Sequence, residues 1–482
     1  MIDTELLKEK VLDLAMRGKL VEQDPTEGNA KQLLEEIRLE RERLIKEKKI
    51  KKSKPLPEIS EDEIPYDIPE SWEWVRLGDI LIEHVGGGTP SKKVPEYWDG
   101  DIPWCSIKDF HGDILTKTID AITEAGLNNS SSNLIQSGNL IVATRLAVGK
   151  IMLTDIDVAI NQDLRALIFA TGVNKAYIRY IYGQLKFVTQ GVTVKGINIS
   201  NLLSILIPLP PSKEQERIAG RIKHIFKLID HLADQQDKFI NYQKLVQDKA
   251  LELAMQGKLV PQLPEEGTAA NLLEEIEAER QRLIDEKKIK KTKPFPEISE
   301  DKIPYDIPES WEWVRFGNLI QIINGDRGKN YPGRKYYISE GCPIITASNL
   351  GESFVDLNSL NFISVERSKL LSSGHVQKGD ILYCIRGSLG KNSMCQLNKG
   401  VIASSLVIIR MNFNNVSNNY VHMYLNSKVG QTMIEKYKNG TAQPNLSAKN
   451  LSLFLMPVPP TKEQARIVNK LNEINQVLHG EY

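Results

Sequence analysis

Long apolar runs are missing from this chain of 482 residues: it nowhere has the roughly eighteen consecutive apolar residues that a membrane-crossing helix needs. The opening stretch MIDTELLKEKVLDL is charged and helical in pattern and lacks the basic-then-apolar order of an export signal, so a cytoplasmic protein without a membrane partner is expected. Cysteine is scarce. Cys105, Cys342, Cys384 and Cys395 have neither Cys-x-x-Cys spacing nor a histidine pattern nearby, which excludes a zinc knuckle and a disulfide framework and leaves four ordinary thiols. An excess of charge is also missing. With 62 basic and 62 acidic residues, any case for a polyanionic partner must be local.

Catalytic signatures are absent as well. A methyltransferase acting on an amino group needs an Asn- or Asp-Pro-Pro-aromatic loop and a glycine-rich loop for its methyl donor. The segment IPYD at 64 and 303 only superficially approaches the first, and Gly86, Gly87 and Gly88 precede Thr-Pro and no helix, which suits a turn. The segment from Gly387 to Lys391 has the wrong spacing for a phosphate-binding loop and is followed by Asn. The histidines His84, His111, His224, His231, His375, His422 and His479 are scattered. No catalytic residue, metal site or cofactor is therefore expected in this chain.

What the chain has is itself, twice. IPYDIPESWEWVR at 64–76 recurs unchanged at 303–315, an offset of 239, and the match reaches upstream through DLAMRGKLVEQDPTEG and ELAMQGKLVPQLPEEG. PLPPSKEQERIAGRIKHI at 208–225 matches PVPPTKEQARIVNKLNEI at 457–474, an offset of 249. Between these blocks, about 72–207 and 311–456, the copies share little. Near-identity should persist where both copies pack alike or meet the same partner, and divergence is permitted where each meets its own target.

Ser212 with Gln215, and Thr461 with Gln464, each directly after a Pro-Pro pair, predict capping boxes that start two helices. From the first, Ile218, Ile222, Ile225, Ile229, Leu232, Gln236, Phe239, Gln243, Val246, Ala250 and Leu253 form a heptad stripe with two polar interruptions, ended by Gly257. Ile467, Leu471, Ile474 and Leu478 begin a second such stripe, and Leu7, Val11, Leu14 and Gly18 match the end of the first, so one helix is split between the two ends of the chain. The expected fold is α/β (α+β): two globular mixed α/β domains separated by long antiparallel coiled-coil helices, in a circular pseudo-two-fold, with the helices setting the spacing. The lysine-rich segments at 46–54 and 285–293 end a second, charged helix in each copy and suit a solvated helix terminus.

The helix starts after Pro-Pro, the IPESWEWVRLGDI opening and GGTPSKKVPEYWDGDIPW at 86–104 together resemble the specificity subunits of type I restriction-modification systems, over the whole chain. The second copy departs from the opening motif, reading IINGDRGKNYPGRKYYISEGCPIITASNL. The resemblance implies an N-terminal helical segment at 1–67, target-recognition domains at 68–211 and 307–460, a central helical spacer at 212–306, and a C-terminal helix at 461–482 that pairs with the N-terminal segment. It also implies that each domain reads half of a split site in double-stranded DNA. Two methyltransferase subunits would bind the scaffold and restriction (translocase) subunits would join, with S-adenosylmethionine, ATP and Mg belonging to those partners. A coiled-coil scaffold that binds proteins, without DNA specificity, is the alternative from another class.

The candidate DNA contacts fall in three matched clusters, at loops and strand ends. The first copy has Thr89, Ser91, Lys92 and Lys93, then Arg145 and Lys150 after NLIVATR, then Lys195. The second has Arg327, Lys329, Arg334 and Lys335, then Arg386 and Lys391 after DILYCIR, then Lys438, Gln443 and Asn445. Arg and Lys suit guanine edges, Gln and Asn suit adenine, all can hold phosphate, and each alone could be a solvated surface group. Residues 311–460 carry a net +8 and residues 72–211 a net −1. Trp72, Trp74, Trp311, Trp313, Tyr97, Trp98 and Trp104 are expected to be packing residues.

Overall fold

The computed structural model describes residues 1–480 apart from 190–195, 288, 290, 292, 412, 414 and 441–443. The chain divides into two compact units, Met1–Asp237 and Lys238–Tyr482. Each is mixed α/β, with helices before and after a run of strands. The first begins with helices Thr4–Met16 and Ala30–Lys46, continues through strands between Glu73 and Leu209, and ends on the first part of the helix Ser212–Met255. The second takes up the rest of that helix, then Ala269–Asp285, strands between Glu312 and Val458, and the helix Thr461–His479.

Antiparallel helix pairing occurs within each unit. In the first, the Gln236 side chain accepts from the Ile2 N–H (2.7 Å) and donates to the Ile2 carbonyl (3.1 Å), while Lys8 pairs with Asp230 at 2.9 Å. In the second, Gln243 donates to the Leu478 carbonyl and Gln247 to Asn475. The polar interruptions of the heptad stripe thus fasten the ends of the facing helices. The stripe is buried at Ile218, Ile222, Ile229 and Ala250, but Phe239 and Val246 are 58% and 46% exposed. The expected helix pairing is present but the stripe is only partly buried: Phe239 lies between the two paired stretches, and Val246 is half exposed beside the Gln247–Asn475 contact.

The helix stop is as read. Gly18 and Gly257 have φ of +67° and +70°, and a Cβ on them would lie 2.3 Å and 2.4 Å from a ring carbon of Pro69 and Pro308 respectively. The two helices start where read, but not through the capping boxes expected. Ser212 and Thr461 are the first residues of their helices and donate to the Gly172 and Asn415 carbonyls (2.8 and 3.0 Å). Gln215 and Gln464 are fully buried and accept from the N–H groups of Asn174 and Ser417 (2.8 and 2.9 Å). These residues tie the helix to its sheet domain instead of capping it.

Each sheet domain is built on an antiparallel sheet. In the first unit the strand order is Leu81–Gly86, Leu164–Phe169, Leu140–Ala143, Ile151–Thr154, then a parallel Ile114–Leu115; in the second it is Ile320–Asn324, Leu406–Met411, Ile381–Cys384, Asn392–Met394. The run Leu140–Ala143 is wholly buried because both its faces are covered. Leu140 and Val142 enter the core shared with the helices, and Ile141 and Ala143 enter the core shared with a second sheet. Ile381 and Tyr383, against Leu382 and Cys384, divide in the same way. The strand Glu73–Arg76 pairs with Leu206–Leu209, and Glu312–Arg315 with Leu455–Val458, so the chain enters and leaves each domain through one two-stranded ribbon.

A buried carboxylate locks that ribbon to the helix. Glu214, only 2% exposed, accepts from the Trp72 indole N–H (2.9 Å) and the Gln23 amide (2.6 Å), and Gln23 in turn accepts from the Ser71 hydroxyl (3.1 Å). Glu463, Trp311, Gln262 and Ser310 repeat the arrangement at 3.0, 2.7 and 2.8 Å. The ion pairs Arg217–Glu27 (2.8 Å) and Arg466–Glu266 (2.7 Å) stand beside it. Burial raises both carboxyl groups above their ordinary 4.5, against the lowering effect of the indole and amide hydrogen bonds.

Removing the acceptor orphans the buried Trp72 indole N–H, so Glu214→Ala should destabilise the first unit by about 1–3 kcal/mol and Glu214→Gln by less. Because the folded-state value is raised, the native state holds the proton more tightly. Stability from this source is full below pH 4.5 and is lost as pH rises through the folded-state value. Urea unfolding across that range should show a slope that flattens in the Glu214→Gln, Glu463→Gln double variant.

Candidate nucleic-acid interface

Loops far apart in sequence meet because the central sheet is antiparallel. Strands Leu81–Gly86 and Leu140–Ala143 run toward the edge of the domain from which Leu164–Phe169 runs away, so the loops after the first two and before the third share one rim. Backbone bonds fasten them. Thr144 donates its N–H to the Asp163 carbonyl (2.8 Å), Ile197 donates to the Thr144 carbonyl (2.8 Å), Gly88 donates to the Ile160 carbonyl (2.9 Å), and Arg145 bridges to Gly196. The rim thereby gathers Thr89, Ser91, Lys92, Lys93, Arg145 and Lys150. Ser91, Lys92, Lys93, Arg145 and Lys150 are exposed and Thr89 is half-buried. Lys195 lies outside the described residues.

The second unit repeats the fastening. Ile385 donates to the Ser405 carbonyl (2.9 Å), Leu446 donates to the Ile385 carbonyl (3.0 Å), and Arg386 bridges to Asn445. Arg327 reaches the Ser404 carbonyl at 3.4 Å, and Lys329 follows it in the same loop. Lys391 donates to the Ala347 carbonyl (3.2 Å), Lys438 pairs with Glu435 (2.6 Å), and Asn445 exchanges backbone hydrogen bonds with Asn439 (2.8 and 2.9 Å). Gln443 lies outside the described residues. Arg334 and Lys335 occupy a separate short turn beside Tyr336, with the Lys335 ammonium 5.0 Å and the Arg367 guanidinium 3.4 Å from its ring centre.

Electrostatics hold the loops in shape. Asp326 is buried and accepts from the Ser372 N–H (2.7 Å), its hydroxyl (2.8 Å) and the Gly328 N–H (2.6 Å), which keeps its carboxyl below the ordinary range and pins the loop carrying Arg327. In the first unit Asp163 pairs with Arg145 at 3.7 Å. On the strand beyond it, Arg165 lies 2.6 Å from His84 Nδ1. Burial and the neighbouring guanidinium push the imidazole toward its neutral form.

The first rim encloses an open cavity of about 490 Å³ whose lining includes Thr89, Lys92, Trp98, Leu146, Gln162 and Asp163. The sequence reading missed Leu146, Gln162, Asp163, Lys108 and Arg367. Asn161, Gln162 and Asp163 form a polar triplet between two strand-like runs, a turn signal that could have marked them. Trp104 is the packing residue expected, buried with its N–H on the Gly88 carbonyl (3.1 Å). Trp98 both packs edge-on against Trp104 (5.1 Å between centroids) and lines the cavity. Trp72 and Trp311 are buried, and Trp74 and Trp313 each donate to a tyrosine carbonyl. All four cysteines are free thiols. Among the described residues no cluster of His, Cys, Asp or Glu is placed to hold a metal ion, and no helix is long and apolar enough to cross a membrane.

Comparison with known proteins bears on the chain as a whole. A family profile described as the type I restriction modification DNA specificity domain matches residues 69–240 and again 308–479. The chain is 28% identical to the EcoAI type I restriction enzyme specificity subunit of Escherichia coli, over 98% of this chain and 88% of that one. It is also 28% identical to the EcoEI specificity subunit of the same organism, over 98% and 89%. Among solved structures, a chain from a study of complex assembly and conformational transition in a type I R-M system has a TM-score of 0.58 at 20% identity, covering 86% of this chain and 93% of that one. The HsdS subunit of Thermoanaerobacter tengcongensis has a TM-score of 0.52 at 19% identity, covering 86% and 92%. These last two speak for the fold. With its profile matched twice, over well more than half its length, the chain belongs to the type I restriction-modification DNA specificity family, as a specificity subunit with two tandem target-recognition domains.

Proposed function

We propose that each target-recognition domain reads one half of a divided DNA site with the rim at its sheet end, and that the repeated helical scaffold docks two methyltransferase subunits, which restriction subunits then join. The chain itself catalyses nothing; S-adenosylmethionine, ATP and Mg act in the partners. One observation carries this reading. Both rims are fastened by the same backbone hydrogen bonds, Thr144 to Asp163 and Ile385 to Ser405, Ile197 to Thr144 and Leu446 to Ile385, yet their side chains differ. The scaffold segment 47–76, by contrast, recurs at 286–315 with changes at only three of thirty positions. A constant frame under variable contact residues is what two different half-sites and two copies of one partner require. The relatives' names, all specificity subunits of type I restriction enzymes, support it.

The purified chain should neither methylate nor cleave DNA nor hydrolyse ATP, and activity should appear on addition of its cognate methyltransferase subunits. Turnover that stays with the pure chain and disappears on a point mutation in it would refute this.

Alanine substitution of Lys92 or Arg145 should relax selectivity in one half-site, and substitution of Arg327 or Arg386 in the other, at roughly 1–3 kcal/mol for a base-reading side chain. A substituted cation that holds phosphate should instead lower the salt slope of binding by about one, an effect expected more in the second domain with its net +8. Methylation mapping of each variant complex, with binding measured across a salt series, checks both. Equal loss in both half-sites with an unchanged salt slope would favour a protein-binding scaffold.

A further inference from the structure

The turn joining Leu140–Ala143 to Ile151–Thr154 holds a side chain where the backbone asks for none. Leu146 has φ of +64°, a left-handed conformation that a leucine rarely adopts. The matching position of the second unit is Gly387, with φ of +81°. The other left-handed position of the turn is glycine in both units, Gly149 at +97° and Gly390 at +83°. The turn is tightly closed, with the Ala147 N–H on the Arg145 carbonyl (2.7 Å) and the Ala143 N–H on the Lys150 carbonyl (3.1 Å). The two turns therefore share a shape that suits glycine, and only the first spends one of its glycine positions on a large apolar group.

That group gains nothing from the fold. Leu146 is 64% exposed, so the burial that normally offsets a leucine's strain is missing. It overhangs the rim cavity beside Arg145, with Lys92, Gln162 and Asp163 around the same opening. An exposed, strained apolar side chain among groups suited to DNA returns its cost only when DNA is bound. A leucine cannot hydrogen-bond to a base. The apolar feature that base pairs offer in the major groove is the thymine methyl group.

We propose that Leu146 is a specificity-determining residue of the first target-recognition domain, making apolar contact with the methyl group of a thymine in its half-site. This rests on the DNA-reading function proposed above. The test uses the complex of the full chain with its methyltransferase subunits, on duplexes carrying the site that methylation mapping of the wild-type complex defines. Leu146→Gly installs the second unit's own residue and should unfold at the same or a higher temperature, which separates the effect from misfolding. Its DNA affinity should fall roughly three- to tenfold, with selectivity relaxed in the first half-site only. Replacing thymines of that half one at a time by deoxyuridine, which lacks the methyl group, should reveal one position that reproduces most of the loss in the wild type and adds nothing in the variant. Wild-type affinity and methylation profile in Leu146→Gly would overturn the proposal, as would a loss coupled to no single thymine. A wild-type complex whose methylation marks no divided site would instead defeat the reading beneath it.

Discussion

A carboxylate that has almost no access to water is the constraint on which each unit depends. Glu214 and Glu463 sit at the start of a helix and accept from an indole just before the strand that opens the sheet domain and from an amide in the loop after the preceding helix. A buried carboxyl group without partners is costly, so only the arrangement that brings all three segments together is acceptable. The interaction therefore acts less as a source of net stability than as a specification. It states where strand, loop and helix must lie relative to one another, across 142 residues between Trp72 and Glu214.

Once that joint is set, the sheet domain has a frame it does not need to build for itself. Strands such as Leu140–Ala143 are covered on both faces and have little freedom to vary, because a change on either side disturbs one of two cores. The loops at the sheet end have no such duty. Apart from a few fixed side chains such as Asp326, their backbones are held by main-chain hydrogen bonds, which are indifferent to side-chain identity, and so Gly196 in one unit can stand where Asn445 stands in the other. Constancy and variability are separated by which atoms carry the structure.

Much of this was legible in the sequence, for definite physical reasons. The duplication, the helix stops at Gly18 and Gly257 and the packing tryptophans follow from local pattern and composition. The two polar interruptions of the apolar stripe were visible, though not that Gln236 would hold Ile2. The helix starts were legible, but the capping boxes misled. Ser212 with Gln215 has the spacing of a capping box, but the buried Gln finds a better partner in the Asn174 N–H, which only the folded sheet domain supplies. The exposure of Phe239 and Val246 was equally hidden, because the spacing of a stripe does not say how much of it a partner covers. Of the candidate interface, the three clusters could be named from turns and strand ends, and the polar triplet at Gln162 and Asp163 could have been, but Leu146 could not. What joins them to Thr89 is sheet topology, and what distinguishes Leu146 is a backbone angle.

The two-stranded ribbon at the base of each sheet domain has a consequence for how such chains change over time. Trp74 lies opposite Pro208, and Trp313 opposite Pro457, so the points where the chain leaves the scaffold and returns to it are hydrogen-bonded neighbours. Whatever is spliced between them, its ends are already together, and the loop-closure entropy falls on the ribbon and not on the insert. A foreign segment that keeps the two short strands can be exchanged as a cassette without moving the helix that follows. Exchange at these points replaces every loop of the rim in a single step, while substitution alters the rim one side chain at a time.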